Sequence, residues 1–173
     1  DDIFNAYNQH RNQPPWFKAR EARDANLMLL PEGRSKLAGV LYEVPEFMTS
    51  IVPSVIMLKG EGSGVDAEEV TGIAVGRKAN ALFFLHTYHA GAGIRQHENR
   101  LSSGREEPPP VLFRYRISYA DGQNVDVPVR WNEGVSHWVQ ESPQPLRFAQ
   151  VAWAVPVEDN PELQTAVYSM QWN

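Results

Sequence analysis

Apolar and polar positions alternate most clearly between residues 113 and 131. Phe113, Tyr115, Ile117 and Tyr119 are separated by Arg114, Arg116 and Ser118. Asp121-Gly122 interrupts the pattern, and Val125, Val127 and Val129 then alternate with Asp126, Pro128 and Arg130. A two-residue period on both sides of Asp-Gly predicts a β-hairpin. Pro128 has no N–H to give to a ladder, so the second strand is expected near an edge. Two further runs close the chain. Phe148–Val157 places Val151, Trp153 and Val155 on one side and alanines on the other. Ala166, Tyr168, Met170 and Trp172 alternate with Val167, Ser169 and Gln171, and Glu158-Asp159-Asn160-Pro161 between the two runs is turn chemistry.

Upstream the pattern is shorter. Leu37–Val44, Ser54–Lys59 and Val70–Val75 read as short apolar strands, with Gly60–Gly64 a flexible loop. Ala81–Tyr88 is apolar on both faces, which predicts a central strand packed on each side. Phe84 and Trp153 are expected core residues. The opening residues are polar, and Pro14-Pro15 followed by Trp16 to Arg23 predicts one short helix in an N-terminal arm. The expected organisation is an arm over residues 1–26 and a β-domain over 27–173. About eight short strands and little helix predict an all-β sandwich of the jelly-roll type. His89–Pro110 breaks the pattern. It has Gly91, Gly93, Gly104 and Pro108–Pro110 and no alternation, so it reads as a long, site-forming loop that is at least partly mobile.

Composition narrows the functions. The chain has 173 residues, 42% of them hydrophobic, enough for one full domain. A net charge of -5 argues against broad nucleic-acid binding, which needs a basic surface. No apolar run approaches a membrane helix in length. Asp1-Asp2 is unlike the basic start of a signal peptide. The absence of cysteine excludes disulfides, thiolate metal sites and cysteine nucleophiles. No Gly-x-Ser-x-Gly elbow or phosphate loop is present. The acidic loops lack an EF-hand pattern, which leaves only a structural calcium held by irregular loop oxygens; no other cofactor is expected.

Two sets of residues could carry chemistry. His86, His89 and His97 lie close in sequence and are candidate metal ligands, although their spacing is not that of a zinc protease helix. The second set is aromatic and polar. Five Trp and six Tyr supply flat apolar faces. Sugars present such a face rimmed by hydroxyls, so an aromatic platform with a few directional side chains suits them. Tyr88, Arg95, His97, Trp131 and Trp138 are the candidate ligand-binding residues. Trp131 and Trp138 flank the polar loop 132–137, and Arg95 could fork a sugar carboxylate.

Several strings together resemble bacterial galactose-binding-like β-sandwich domains. They are Val75–Thr87, Tyr115–Gly122, Val127-Pro128-Val129 with Trp138, and Leu30-Pro31 with Gly33 followed by Leu37–Val40. The resemblance spans about residues 27–173. Such domains are similar to carbohydrate-binding modules that accompany exported polysaccharide-degrading enzymes. The resemblance therefore implies a jelly roll, a polysaccharide or oligosaccharide partner, a place in a larger multidomain enzyme, and a secreted or periplasmic location. It maps no catalytic residue. The expected function is non-catalytic sugar binding. The alternatives are a small polysaccharide-active enzyme, metal-assisted through His86, His89 and His97, and a docking domain with an exposed apolar patch.

Overall fold

The structure, a computed structural model, describes residues 4, 6, 27, 29–46, 54–61, 65–89 and 91–173. Among them the order is β1 (Gly33–Leu37), β2 (Val40–Val44), β3 (Leu82–His86), α1 (Ala92–Ser102), β4 (Val111–Ser118), β5 (Asn124–Arg130), β6 (Val139–Gln140), β7 (Ala149–Val157) and β8 (Asn160–Trp172). All named strand pairs are antiparallel, and the protein is mostly β. The helix expected over Pro14–Arg23, and the boundary at residue 26, lie outside the described residues.

Strand β8 organises the molecule. It pairs with β7 along most of its length, and also with β3 and with β6. The alternation of its side chains feeds two layers. Ala166, Tyr168 and Met170 pack with Val127 and Val129 of β5. Val167 packs instead with Leu37 and Val44 of the β1–β2 hairpin. Ser169 shares that second face through a hydrogen bond with Tyr42. The four-stranded sheet thus has one hairpin on each face, and residues 165 to 170 are buried throughout. Burial on both sides is the dominant stabilising contribution such a sheet can draw on.

The β4–β5 hairpin forms as its alternation predicts. Tyr115 faces Val127, Ile117 faces Val125, and Gly122 takes φ 86° in the connecting turn. Pro128 lies opposite Arg114 in this two-stranded unit, where both strands are edges. Leu37–Val44 is not one strand. Ala38 and Gly39 take φ of 47° and 82°, and this left-handed pair folds the run into the β1–β2 hairpin. Val70–Val75 forms no strand, because Gly72 and Gly76 also take positive φ and break the extended path. Within Ser54–Lys59, Val55 makes an isolated bridge to Ala6 and no strand follows.

Two expectations about faces change. Among the described residues β3 is an edge strand beside β8, not a central one, although both its faces are covered. In β7, a bulge at Ala152 moves Trp153 to the face opposite Val151. Phe84 and Trp153 are half-buried and pack against the edges of the two cores. The largest difference is at residues 92–102. The expected loop contains helix α1, which turns Ile94 and His97 inward. Among the described residues, no helix is long and apolar enough to cross a membrane.

Candidate functional site

The three histidines of the expected metal set do not form one site. His86, at the end of β3, is enclosed by the β4–β5 hairpin and the loop after β5. Its Nε2 donates to the Gly134 carbonyl at 2.9 Å, which leaves Nδ1 to accept from the Tyr115 hydroxyl at 2.8 Å. Both ring nitrogens are used. Burial pushes its pKa down to about 4, with the Gly134 bond opposing in part. His86 is therefore a neutral structural residue, and Tyr115, whose own pKa burial raises, is its locked partner. His97 is 4% exposed on the inner side of α1, with its Nδ1 3.5 Å from the Glu107 carboxylate. Glu107 also accepts two bonds from Arg100, which hold its carboxyl below the usual range. Among the described residues no three His, Asp or Glu side chains converge as a metal site.

His89 belongs to a different cluster. The backbone past β3 bridges the segment around His137, where the Trp138 amide donates to the Tyr88 carbonyl at 2.8 Å. This pairing sets His89 against His137, their ring centroids 5.4 Å apart. Trp138 Nε1 donates to His89 Nδ1 at 3.3 Å, so the neutral ring carries its proton on Nε2. That assignment leaves no ring lone pair for a metal while the bond to Trp138 persists. His89 has a lowered pKa through burial first, then through His137 and Arg95, while Glu61 opposes them. His137 Nδ1 lies 2.7 Å from the Val139 carbonyl oxygen and 3.1 Å from its amide nitrogen.

Helix α1 closes the cluster. Gly91 is its N-cap, and no side chain of its own caps it. Glu61, some thirty residues earlier, accepts from the Ala92 amide instead and lies 3.9 Å from the Arg95 guanidinium. The carboxylate suits the positive end of the helix dipole. A Cβ on Gly91 would sit 2.5 Å from Glu61 Oε2, so a larger residue there would displace the carboxylate from the helix end. Glu61 also raises the Tyr88 pKa, after the larger effect of burial.

The structure brings together Tyr88 and Arg95 of the expected ligand set and adds Glu61, His89 and His137. It places the two tryptophans differently. Trp138 is 2% exposed against Val157, Val139 and Leu163, and Trp131 is 5% exposed beneath Ile94. Neither indole is an open platform. Both support the half-buried Tyr88 and His89 from below, with the Tyr88 and Trp131 rings edge to face at 5.9 Å. His97 likewise points inward, toward Glu107 rather than a ligand. His137 ends the polar loop 132–137, but its partner His89 is 48 residues away, and local spacing carries no trace of the pair. A surface hollow of about 100 Å3 is lined by Arg34, Leu41, Tyr42 and Glu43. It shares no residue with the cluster and is smaller than a typical ligand cleft.

Half-exposed Tyr88, His89 and His137, rimmed by a carboxylate and a guanidinium, can donate and accept hydrogen bonds in several directions around one aromatic face. That arrangement can hold a polyhydroxyl compound. Comparison of the chain with protein families, with curated proteins and with solved structures returns no match.

Proposed function

We propose that this protein is a non-catalytic carbohydrate-binding module serving a polysaccharide-degrading system. One observation carries the reading. Tyr88, His89, Arg95, His137 and Glu61 meet where β3 ends and α1 begins, on a floor of buried tryptophan. Sugars are held by an aromatic face and a rim of directional hydrogen bonds, and the cluster supplies both. Packing of the β4–β5 hairpin on the four-stranded sheet supports a layered β-sandwich, and the jelly-roll, galactose-binding-like type is part of the proposal. A secreted or periplasmic location and attachment to a larger enzyme belong to the same proposal. The metal-assisted enzyme loses its main support, because His86 is fully engaged and His97 faces Glu107.

Binding is expected to be modest, since a shallow site leaves little surplus after ordering costs. Affinity electrophoresis through plant and algal polysaccharides is the test. Retardation by at least one glycan, weakened in Tyr88→Ala and Arg95→Ala, is the expected result. Unretarded migration in every gel, or equal retardation of the variants, overturns the reading.

A further inference from the structure

Helix α1 lies over an aromatic floor that has an unused donor. Ile94 and Trp131 form a small buried cluster with Tyr88 and Leu112 against them. Trp131 is 5% exposed, yet its indole Nε1 has no hydrogen-bond partner among the described residues. Buried donors are seldom left so, because the lost hydration is not replaced. An orphaned donor beside a flat apolar face is what a pyranose ring with its hydroxyls would complete.

The helix is lightly held. It has 11 residues, below the length at which an isolated helix is stable in water. Gly91 precedes it and Gly104, at φ 85°, follows it. Its buried side chains are Ile94 and His97. Glu61 holds the first turn and Glu107 holds Arg100 and His97 near the end. Among the described residues no strand packs extensively on it. Elements with few buried apolar contacts open at lower free energy than the core.

We propose that α1 is a lid over a cryptic sugar subsite, whose floor is the Trp131 indole with the Tyr88 ring and whose directional donor is Trp131 Nε1. The inference rests on the carbohydrate-binding reading and adds where the ring sits and what gates it. In the closed protein Ile94 occupies the place of the sugar. The apparent affinity is then the intrinsic affinity multiplied by the open fraction. Arg95 travels with the helix and reaches the rim of the ligand.

The test uses the full chain and two loosened variants, Ile94→Ala and Glu107→Gln, each confirmed as folded by circular dichroism. Glu107→Gln leaves the buried cluster intact, so it serves if Ile94→Ala fails to fold. Acrylamide quenching of tryptophan fluorescence, read as the difference from the same protein carrying Trp131→Phe, reports lid opening without any ligand in Glu107→Gln, where Ile94 still covers the indole; in Ile94→Ala the truncation itself adds exposure. Calorimetry with neutral hexoses, neutral hexa-oligosaccharides and an oligouronate reports binding. The expected result is greater quenching of Trp131 in the loosened variants and binding of one of these probes about tenfold tighter than in the parent. Unchanged quenching overturns the lid. Greater quenching with unchanged binding of a sugar that the parent also binds overturns the subsite and leaves the proposed function standing. Greater quenching with no binding by any protein overturns both.

Discussion

His86 makes stability depend on acidity in a way that can be worked out from its surroundings. Its folded pKa is about 4, against 6.5 for the exposed residue, because burial disfavours the imidazolium and both ring nitrogens are committed as a neutral ring. The unfolded chain binds a proton through that interval and the folded chain does not. Stability from this group is therefore complete above about pH 6.5 and is lost as pH falls toward 4. The interval corresponds to about 3 kcal/mol. Replacing the residue with alanine removes that dependence. At pH 7.5 it also strands the Tyr115 hydroxyl and the Gly134 carbonyl, for a cost of about 3–5 kcal/mol. Urea unfolding of parent and His86→Ala at pH 7.5, 6, 5 and 4 measures both effects. Carboxylates titrate in both proteins and cancel in the difference. The gap between the two proteins should narrow by about 3 kcal/mol from pH 7.5 to pH 4. A gap independent of pH would refute the assignment of a buried neutral His86.

Tyr115→Phe keeps the stack on Phe84, whose ring centroid is 3.8 Å away, and removes the hydroxyl that donates to His86. It should cost about 1–3 kcal/mol by urea midpoint, with little change in the slope of the transition. Gly134→Ala places a Cβ 3.2 Å from both Met170 Sδ and Val129 Cγ1 in the packed core; a loss of about 1–3 kcal/mol in thermal or urea unfolding is expected. Phe84→Ala should cost at most about 3 kcal/mol, because the ring is only half-buried and a fully buried phenylalanine costs about 3–5. A larger loss would place Phe84 deeper in the core than its position on edge strand β3 does.

The strands that the sequence revealed are those whose pattern is local. The alternation around Asp121-Gly122 specifies β4 and β5 in register, and the run to Trp172 specifies the two faces of β8. Features set by unusual backbone conformations or by distant residues were hidden. Ala38 at positive φ is an unusual turn residue, so the β1–β2 hairpin read as one strand. The bulge at Ala152 reversed the face of Trp153 without altering the alternation of residue types. Helix α1 has a polar, glycine-containing sequence, and its carboxylate cap comes from Glu61. Its one local signal was the spacing of Ile94, His97 and Leu101, three and then four residues apart, as on one helical face. Of the candidate set, Tyr88 and Arg95 were legible as residues that follow a strand and enter a glycine-rich segment. The burial of Trp131, Trp138 and His97 depends on α1 and on strands from elsewhere in the chain.

Calorimetric titration of the parent and Tyr88→Ala with the polysaccharide that most retards the parent in affinity gels tests carbohydrate binding by this cluster most directly. Tyr88 presents the half-buried aromatic face of the cluster, beside His89 and above Trp131. Saturable binding to the parent is expected, with a loss of at least about tenfold in affinity for Tyr88→Ala and unfolding midpoints that show both proteins folded. Equal affinity of the two proteins, or no saturable heat with any retarding or non-retarding glycan, contradicts the proposal that this cluster binds carbohydrate.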